Sequence, residues 1–425
     1  MACSPYSDYR AIFNEIVVSA NNKETAINTA QTLDTKLLVT QDSILNLVPR
    51  REANEGELTG KEEADSVYDL GYKSTGNLNF NYGQAQHFGF MYAYGLGAVS
   101  TSVSGSGYIH TITPISTLCH PSFTAAMRIG KTIFKRRYYS FFVDTVTATF
   151  ERGNFATISG VIMGTGRYDN DYTKEEVTDG YDSTSLTLSQ AVEGSNATER
   201  LNNVQHVRVS NPTTGAWEDV TVTAVSADTA AVLTITAPGI DTSTTTFEVI
   251  YRQEAPAWAT FPSKTDESPL QVNDLEISIG GLWNGTTYSG GHTLAEEVSS
   301  IEHNLNNQQS IEYRIGGNST YAGYQLRQGR IQTLTLNREA RDVIFQQRIE
   351  DNEYFTVRML ATGSEFATGE NYKVEMIFPR CNILDAPLSA DGIVMAEAGD
   401  LRILEDDTYG SAIIKVTNQV ATYAA

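Results

Sequence analysis

The sequence contains one candidate phosphate-binding motif. Arg128–Thr132 ends in Gly130-Lys131-Thr132, which matches the end of a P-loop. A complete P-loop needs a second glycine five residues before Gly130, so that unhindered backbone N–H groups can surround a phosphate, and that position is Ala125. The segment therefore does not predict nucleotide binding, and a strand end followed by a turn explains it better.

Possible catalytic dyads and metal sites are equally incomplete. Cys119-His120 and Glu302-His303 place a nucleophile or an acid beside a base, but neighbouring residues of a strand point to opposite faces. The six histidines lack the H-x-x-x-H and H-E-x-x-H spacings of metal sites, and the three cysteines form no C-x-x-C pair. We therefore expect no catalytic residue, no bound metal and no cofactor.

The balance of charge excludes further classes of function. Of the 425 residues, 51 are acidic and 30 are Lys or Arg, so the net charge is −21. A chain of this charge repels DNA and anionic lipid on average, so a surface that grips either is not expected. The sequence has no apolar run long enough to cross a membrane, and its first ten residues lack the parts of a signal peptide. We expect a soluble protein without disulfide bonds.

One short segment runs against this acidic balance. It carries five basic residues, which are Arg128, Lys131, Lys135, Arg136 and Arg137. They could touch nucleic acid, but in so acidic a chain the favoured interpretation is pairing with acidic groups on a neighbouring copy. We call these five residues the basic cluster, and they are the candidate contact between subunits.

Alternating patterns predict a mainly β protein. Apolar and polar residues alternate at Val143–Phe150, Leu275–Ile279 and Tyr372–Phe378, as in antiparallel strands with one buried face. Two helices are predicted, one at Gln84–Leu96 and one at Arg338–Glu350 with Asn337 as its N-cap.

The order of these elements indicates a duplication with an insertion. The segment Lys73–Phe80 leads into the first helix as Arg330–Leu336 leads into the second. Between these halves, Ser183–Tyr251 becomes rich in Thr, Ser, Val and Ala, with turn signals of its own. We therefore predict four regions: an N-terminal arm and loop at 1–65, a first β unit at 66–182, an inserted small β-sandwich or barrel at 183–252, and a second β unit at 253–425.

Four segments of the first half together resemble a known family. The segments are Ser74–Phe80, Phe90–Gly97, Gly107–Pro114 and His120–Thr124. In this order and spacing they are similar to the tail tube proteins, or major tail proteins, of bacteriophages with long flexible tails. The resemblance covers about residues 65–165 closely and 270–420 loosely, and it leaves Ser183–Tyr251 outside.

The resemblance implies a structural virion protein rather than an enzyme. Each chain would hold two tandem tail-tube-like β-sandwich or barrel units, each with a flanking helix. Copies would form rings that stack into a tube, with a trimer of pseudo-sixfold symmetry favoured over a hexamer. The other partners implied are the tape measure protein, the tail terminator and the baseplate or tip proteins, without a membrane. Assembly would take place in the host cytoplasm, and the final location would be the virion tail.

The resemblance also implies a lumen through which double-stranded DNA passes transiently. Because DNA is densely charged and salt screens repulsion only beyond about 8–10 Å, an acidic wall repels DNA at close approach where a basic wall would bind it. Strand faces with threonine and acidic groups are the lumen candidates, namely Thr145, Thr147, Thr149, Glu151 and Glu375. Alternatives are a tail terminator or surface decoration protein and, less favoured, a carbohydrate-binding or carbohydrate-degrading β protein.

Overall fold

The computed structural model describes residues 10–58, 60–131, 133–294 and 296–425. Residues 1–9 of the predicted arm and Thr132 of the incomplete P-loop lie outside the described residues. The predicted fold class is confirmed, because the chain is mainly β, with antiparallel sheets and little helix.

The chain consists of two compact units. The smaller unit comprises Met1–Glu15, Ala126–Arg137 and Tyr168–Phe261, and the larger unit comprises Ile16–Ala125, Tyr138–Arg167 and Pro262–Ala425. The predicted insertion at 183–252 lies wholly within the smaller unit. The predicted β units at 66–182 and 253–425 both contribute strands to the larger unit, and their duplication stays a prediction.

The first seventeen strands have the following bounds: β1 Glu15–Val18, β2 Thr35–Leu37, β3 Leu45–Ala53, β4 Val67–Phe80, β5 Gly97–Ser104, β6 Gly107–Pro114, β7 Phe123–Ile129, β8 Phe134–Glu151, β9 Thr157–Gly164, β10 Tyr168–Asn170, β11 Tyr172–Gly180, β12 Ser185–Thr187, β13 Val204–Ser210, β14 Trp217–Asp219, β15 Val222–Val225, β16 Val232–Ile235 and β17 Thr244–Arg252. The next thirteen are β18 Leu275–Ile279, β19 Leu282–Trp283, β20 Tyr288–Ser289, β21 His292–Thr293, β22 Val298–Asn306, β23 Gln309–Glu312, β24 Tyr324–Arg327, β25 Ile331–Glu339, β26 Phe355–Ala367, β27 Glu370–Asp385, β28 Leu388–Asp391, β29 Val394–Ile403 and β30 Ile413–Asn418. The α-helices are α1 Ala85–Leu96, α2 Ala197–Asn202 and α3 Ile344–Glu350, and short 3-10 turns lie at Ala11–Phe13, Ala257–Ala259 and Val272–Asp274.

A continuous series of antiparallel pairs runs through the larger unit. In order, the neighbours are β3, β4, β9, β8, β22, β25 and β29. The C-terminal half of β27 pairs with β29, and its N-terminal half pairs with β26 and β30. Strands from before and after the 168–261 segment therefore complete one sheet.

Helix α1 packs on the inner side of this sheet, and all of its residues are buried. Phe88 stacks on Phe150 of β8, with ring centroids 5.8 Å apart. Gly160 of β9 allows close approach, since a Cβ there would lie 2.4 Å from the Met91 Cε atom. The helix thus fixes which side of β8 and β9 belongs to the core.

The two predicted helices have different outcomes. Helix α1, with Gln84 as its N-cap, confirms the first. The second prediction is wrong at its start, because β25 continues through Glu339 and α3 begins at Ile344. Arg338 pairs with Glu397 across the ladder and is buried there, so the sheet takes the residues that a helix pattern had suggested. Asn337 is a strand residue rather than an N-cap.

The region 1–65, predicted as arm and loop, contains β1, β2 and β3. β3 pairs with β4 from Leu45 to Ala53. The distal parts of both strands are exposed on both faces, so they lack the alternation by which a half-buried strand is recognised in a sequence.

The smaller unit contains two antiparallel sheets. One has the order β11, β17, β13, β14, and the other has the order β12, β16, β15. β11 and β17 pair along their whole lengths, from Tyr172 opposite Arg252 to Gly180 opposite Thr244. Buried side chains of both sheets, including Val207, Leu233 and Phe247, form a single core.

Candidate functional site: a polar sheet face and the basic cluster

The side of the sheet that faces away from α1 is polar over four successive strands, β9, β8, β22 and β25. On β8, Val146, Ala148 and Phe150 are buried, whereas the alternating threonines are half-buried. We call this side the polar face, and the apolar Val161 also lies on it. Its polar residues are Thr157, Ser159, Thr145, Thr147, Thr149, Ser300, Glu302, Asn304, Asn306, Thr333, Thr335 and Asn337. None of the twelve is buried.

Cross-strand hydrogen bonds order the polar face. The Asn304 side-chain amide donates to Thr147 Oγ1 at 3.0 Å, and the Thr149 hydroxyl donates to Glu302 Oε2 at 3.2 Å. The Asn337 amide donates to Ser300 Oγ at 2.9 Å. Six of the twelve polar residues are therefore joined in pairs across neighbouring strands.

The charges at the polar face are predominantly negative. Glu151 and Glu302 are exposed, and Asp400, which lies opposite Thr335 on the next strand, is exposed as well. Arg402 is half-buried opposite Thr333. Three exposed carboxylates within one sheet face would repel a phosphate backbone at separations shorter than the screening length of about 8–10 Å.

The structure brings four of the five lumen candidates together and separates the fifth. Thr145, Thr147, Thr149 and Glu151 follow one another along β8. Glu375 lies on β27 between two cations: its Oε1 is 2.7 Å from Arg358 Nε, and its Oε2 is 3.9 Å from Lys415 Nζ. Its charge is neutralised locally.

The basic cluster is largely occupied within the smaller unit. Arg128 forms an ion pair with Glu15 at 3.0 Å and donates to the Phe13 carbonyl. Lys135 Nζ donates to the Ala259 carbonyl at 2.6 Å. These basic groups therefore hold segments of one unit together.

The two adjacent arginines of the cluster also have internal partners. Arg136 donates to the Asn170 side chain at 2.7 Å and to the Tyr172 hydroxyl at 3.1 Å. Arg137 pairs with Asp169 and lies over the Trp258 ring. Lys131 is the exposed member of the cluster.

A buried charge network at the end of β25 was not anticipated from the sequence. The Arg338 side chain is fully buried and bonds to Glu397 at 2.8 Å, Asp342 at 2.9 Å and Glu297 at 3.2 Å. His292 lies 3.8 Å from Asp342, so ligand atoms of His292, Glu297 and Asp342 come within 4.8 Å of one another. Because both of these carboxylates bond to the guanidinium, Arg338 already supplies positive charge to this group. The residues come from separate segments, and no sequence spacing could have linked them.

Two buried carboxylates of the larger unit also escaped sequence reasoning. Glu24 accepts hydrogen bonds from Ser122 at 2.9 Å and Thr124 at 2.7 Å, and from the backbone and hydroxyl groups of Ser140. Glu267 accepts one bond, from the Gln86 backbone N–H at 2.9 Å. Burial raises the pKa of Glu267 to about 7.

The histidines of the two candidate dyads, His120 and His303, are both buried. His303 is buried against α1, where its Nδ1 lies 2.7 Å from the Tyr92 hydroxyl. Burial lowers the pKa of His303 to about 4 and that of His120 to about 4, so both rings are neutral at physiological pH. Each histidine acts as a hydrogen-bonding core residue.

A cleft of about 470 Å³ lies beside the polar face in the larger unit. Its floor is apolar and includes Phe150, Leu275 and Ile277, and its rim includes Arg152 and Glu339. Arg152 donates to the Glu296 carbonyl at 2.7 Å, so its guanidinium is partly committed to the protein. The cleft offers an apolar surface and no unbalanced charge.

Comparisons with known proteins add no relative. No protein-family model matches the chain, and no curated protein matches it significantly. Among the described residues, no helix is both long enough and apolar enough to cross a membrane.

Proposed function

We propose that this chain is a structural subunit of a bacteriophage tail tube, that its copies form stacked rings, and that the polar face lines the conduit for DNA. The observation that carries the proposal is the polar face itself. Four successive strands present threonine, asparagine, serine and carboxylate groups on one side, while the other side packs on α1.

This surface suits a wall along which DNA must slide. Short neutral side chains bonded to one another offer few strong donors to phosphate, and the carboxylates of Glu151, Glu302 and Asp400 oppose adhesion. A wall that bound DNA would instead carry lysine and arginine, which dominate phosphate contacts. The net charge of −21 acts in the same direction.

The segments that resemble tail tube proteins support the proposal by their position. Ser74–Phe80 lies in β4, Phe90–Gly97 covers the end of α1, Gly107–Pro114 forms β6, and His120–Thr124 leads into β7. All four lie in the larger unit, which also carries the polar face. The segments that resemble tail tube proteins and the candidate lumen surface therefore lie in the same unit.

Exposed apolar side chains supply a reason for copies to associate. The hairpin of β3 and β4 exposes Val48, Val67, Tyr68 and Leu70, and that of β28 and β29 exposes Leu388, Ile393, Val394 and Met395. Groups of apolar side chains on protruding hairpins favour burial in an interface. We propose that neighbouring copies cover them, within a ring or between rings.

The same proposal places the protein in the virion tail after assembly in the host cytoplasm. Its other partners would be the tape measure, terminator and baseplate or tip proteins, with DNA passing transiently. Three chains per ring are favoured, because in both halves a strand leads towards a helix, β4 towards α1 and β25 towards α3. Class averages of end-on views distinguish three copies of the 46.6 kDa chain from six.

Electron microscopy of the purified, concentrated protein tests the proposal. We expect long hollow filaments of uniform width that grow with protein concentration. Single rings that never stack would favour a tail terminator instead. A monomer at every concentration and salt condition would contradict both.

A further inference from the structure

Two arginines of the larger unit have no acidic partner among the residues that the structure describes. Arg327 is the last residue of β24, and its side chain is buried, with a relative exposure of 8%. Its Nε and Nη1 atoms are buried and have no hydrogen-bond partner among the described residues. A guanidinium has five N–H donors and is not deprotonated in proteins, so this charge is present and incompletely solvated.

Arg330 lies three residues further along and bonds only to neutral groups. Its Nε atom donates to the Asn307 side-chain oxygen, and its Nη2 atom donates to the Ile115 carbonyl and faces His120 Nε2, each at 3.4 Å. These distances are long for bonds from a charged donor, which are typically about 2.7–2.9 Å. Arg330 is therefore held in place but not neutralised.

The surroundings do not supply the missing negative charge. Burial lowers the pKa of Arg330 to about 10, and the neighbouring Arg327 charge lowers it as well. His120 is buried and neutral. Glu405 is exposed, and its negative charge acts on both arginines, but within the part of the chain that the structure describes it forms no ion pair with either.

Elsewhere the chain compensates a buried guanidinium fully. Arg338 has three carboxylates within 3.2 Å. Leaving a buried charge without a partner destabilises a protein strongly, whereas a well-bonded partner offsets much of that cost. Arg327 is buried and Arg330 is half-buried, and among the described residues neither has carboxylates like those that surround Arg338.

We propose that Arg327 and Arg330 receive carboxylate groups from a second copy of this chain, and that the acidic loop of the β3 and β4 hairpin supplies them. This inference rests on the proposed self-assembly. In that loop Glu55, Glu62 and Glu63 are exposed, and none of the three forms an ion pair with another described residue. A site with two unpaired cations and a projecting loop with three unpaired carboxylates are complementary in charge.

Neutral substitutions at the two arginines test the inference. Arg327→Gln and Arg330→Gln keep polar side chains but remove the charge, and Lys264→Gln removes an exposed charge as a control. We expect the protein concentration needed for assembly to rise by roughly tenfold or more for the arginine variants and to stay unchanged for Lys264→Gln. Light scattering and electron microscopy report this concentration.

Thermal unfolding of unassembled protein separates a contact from a structural role. Removing an uncompensated buried charge leaves the midpoint of the isolated chain unchanged or raises it, whereas removing a structural arginine lowers it. Weakened assembly with an unlowered midpoint supports the inference. A lowered midpoint, or assembly equal to that of the wild-type chain, overturns it.

Charge exchange identifies the source of the carboxylate. Arg330→Glu should block assembly, and mixing this variant with Glu62→Arg/Glu63→Arg chains should restore mixed assemblies. Failure of the mixture to assemble any better than Arg330→Glu alone overturns the assignment to this loop.

If millimolar inorganic phosphate stabilises the unassembled wild-type chain but not the arginine variants, and these assemble normally, the site serves a free anion and the inference fails. Absence of wild-type assembly would refute the proposed function itself.

Discussion

Two groups of basic residues behave in opposite ways in this molecule. Four members of the basic cluster are close in sequence and are engaged by Glu15, Asp169, Asn170 and the Ala259 carbonyl within the smaller unit. Arg327 and Arg330 of the larger unit meet neutral acceptors or none among the described residues. Density of charge along the sequence therefore did not mark the residues that lack an internal partner.

The difference has a physical origin. Neighbouring basic residues repel one another, so a folded protein retains them together only where acidic or polar groups of other segments surround them. A cation without such groups is tolerated when it stays hydrated or when another molecule completes it. Arg327 and Arg330 have no such acidic groups among the described residues, and for this reason we propose them, rather than the basic cluster, as an external contact.

The largest expected effect concerns Arg338, the fully compensated case. Arg338→Met should lower the free energy of unfolding by about 3–5 kcal/mol, because it leaves three carboxylates around a buried position without their cation. Urea denaturation measures the loss.

Arg341→Met is the matched control for Arg338→Met. The Arg341 side chain is 49% exposed and pairs with Glu339, so solvent screens this ion pair and its removal should change stability far less than Arg338→Met does. Equal losses for the two variants would mean that the buried network is not the cause of the larger effect.

Glu267 is an incompletely partnered carboxylate, so removing its charge should stabilise the folded chain, whereas removing the charge of Arg338 should destabilise it. Burial raises its pKa from 4.5 to about 7, so the folded chain binds this proton more tightly than the unfolded chain does. Its favourable contribution is complete below about pH 4.5 and is lost as the pH rises through about 7. At pH 8, Glu267→Gln should therefore be more stable than the wild-type chain by about 3 kcal/mol.

Unfolding measured between pH 4.5 and pH 8 tests this expectation. The difference between wild type and Glu267→Gln should grow with pH, whereas Asp266→Asn, an exposed neighbour, should show little change. Burial lowers the pKa of His87 from 6.5 to about 3, so this residue also makes stability depend on pH, but it does so equally in both proteins and cancels from their difference. A difference between wild type and Glu267→Gln that is independent of pH would contradict the assignment.

Local sequence patterns predicted much of the fold. The features that they did not predict involve charge pairs between residues that are far apart in the sequence. From Thr145 to Phe150 the alternation separates half-buried threonines from the buried Val146, Ala148 and Phe150, but a register shift between Val143 and Thr145 breaks it, and Val143 is buried. The helix predicted at Arg338 was wrong, because Glu397, far away in sequence, draws that residue into a strand. Glu375 lies on β27, apart from the polar face, and is paired with Arg358 and Lys415 of other strands, which its local sequence did not indicate.

The candidate site divides in the same way. The threonines of β8 are adjacent along one strand, so a period of two was sufficient to group them. Glu24, Glu267 and the two unpaired arginines carry no local signature, since what distinguishes them is the set of groups around them in the folded chain. Which groups surround these residues can be seen only once the tertiary contacts are known.

The smallest expected effects come from two members of the basic cluster that differ in their contacts. Arg136→Gln should lower the stability of the smaller unit by about 1–2 kcal/mol, because it removes bonds to Asn170 and Tyr172 and the stacking on Phe134 and Tyr168. Lys131→Gln should leave stability unchanged, since Lys131 is exposed. Scanning calorimetry measures both changes, and neither variant should alter the concentration needed for assembly. If instead Lys131→Gln blocked assembly while the variants at Arg327 and Arg330 did not, the sequence-based assignment of subunit contacts to the basic cluster would be correct, and the contrast between the two groups would lose its meaning.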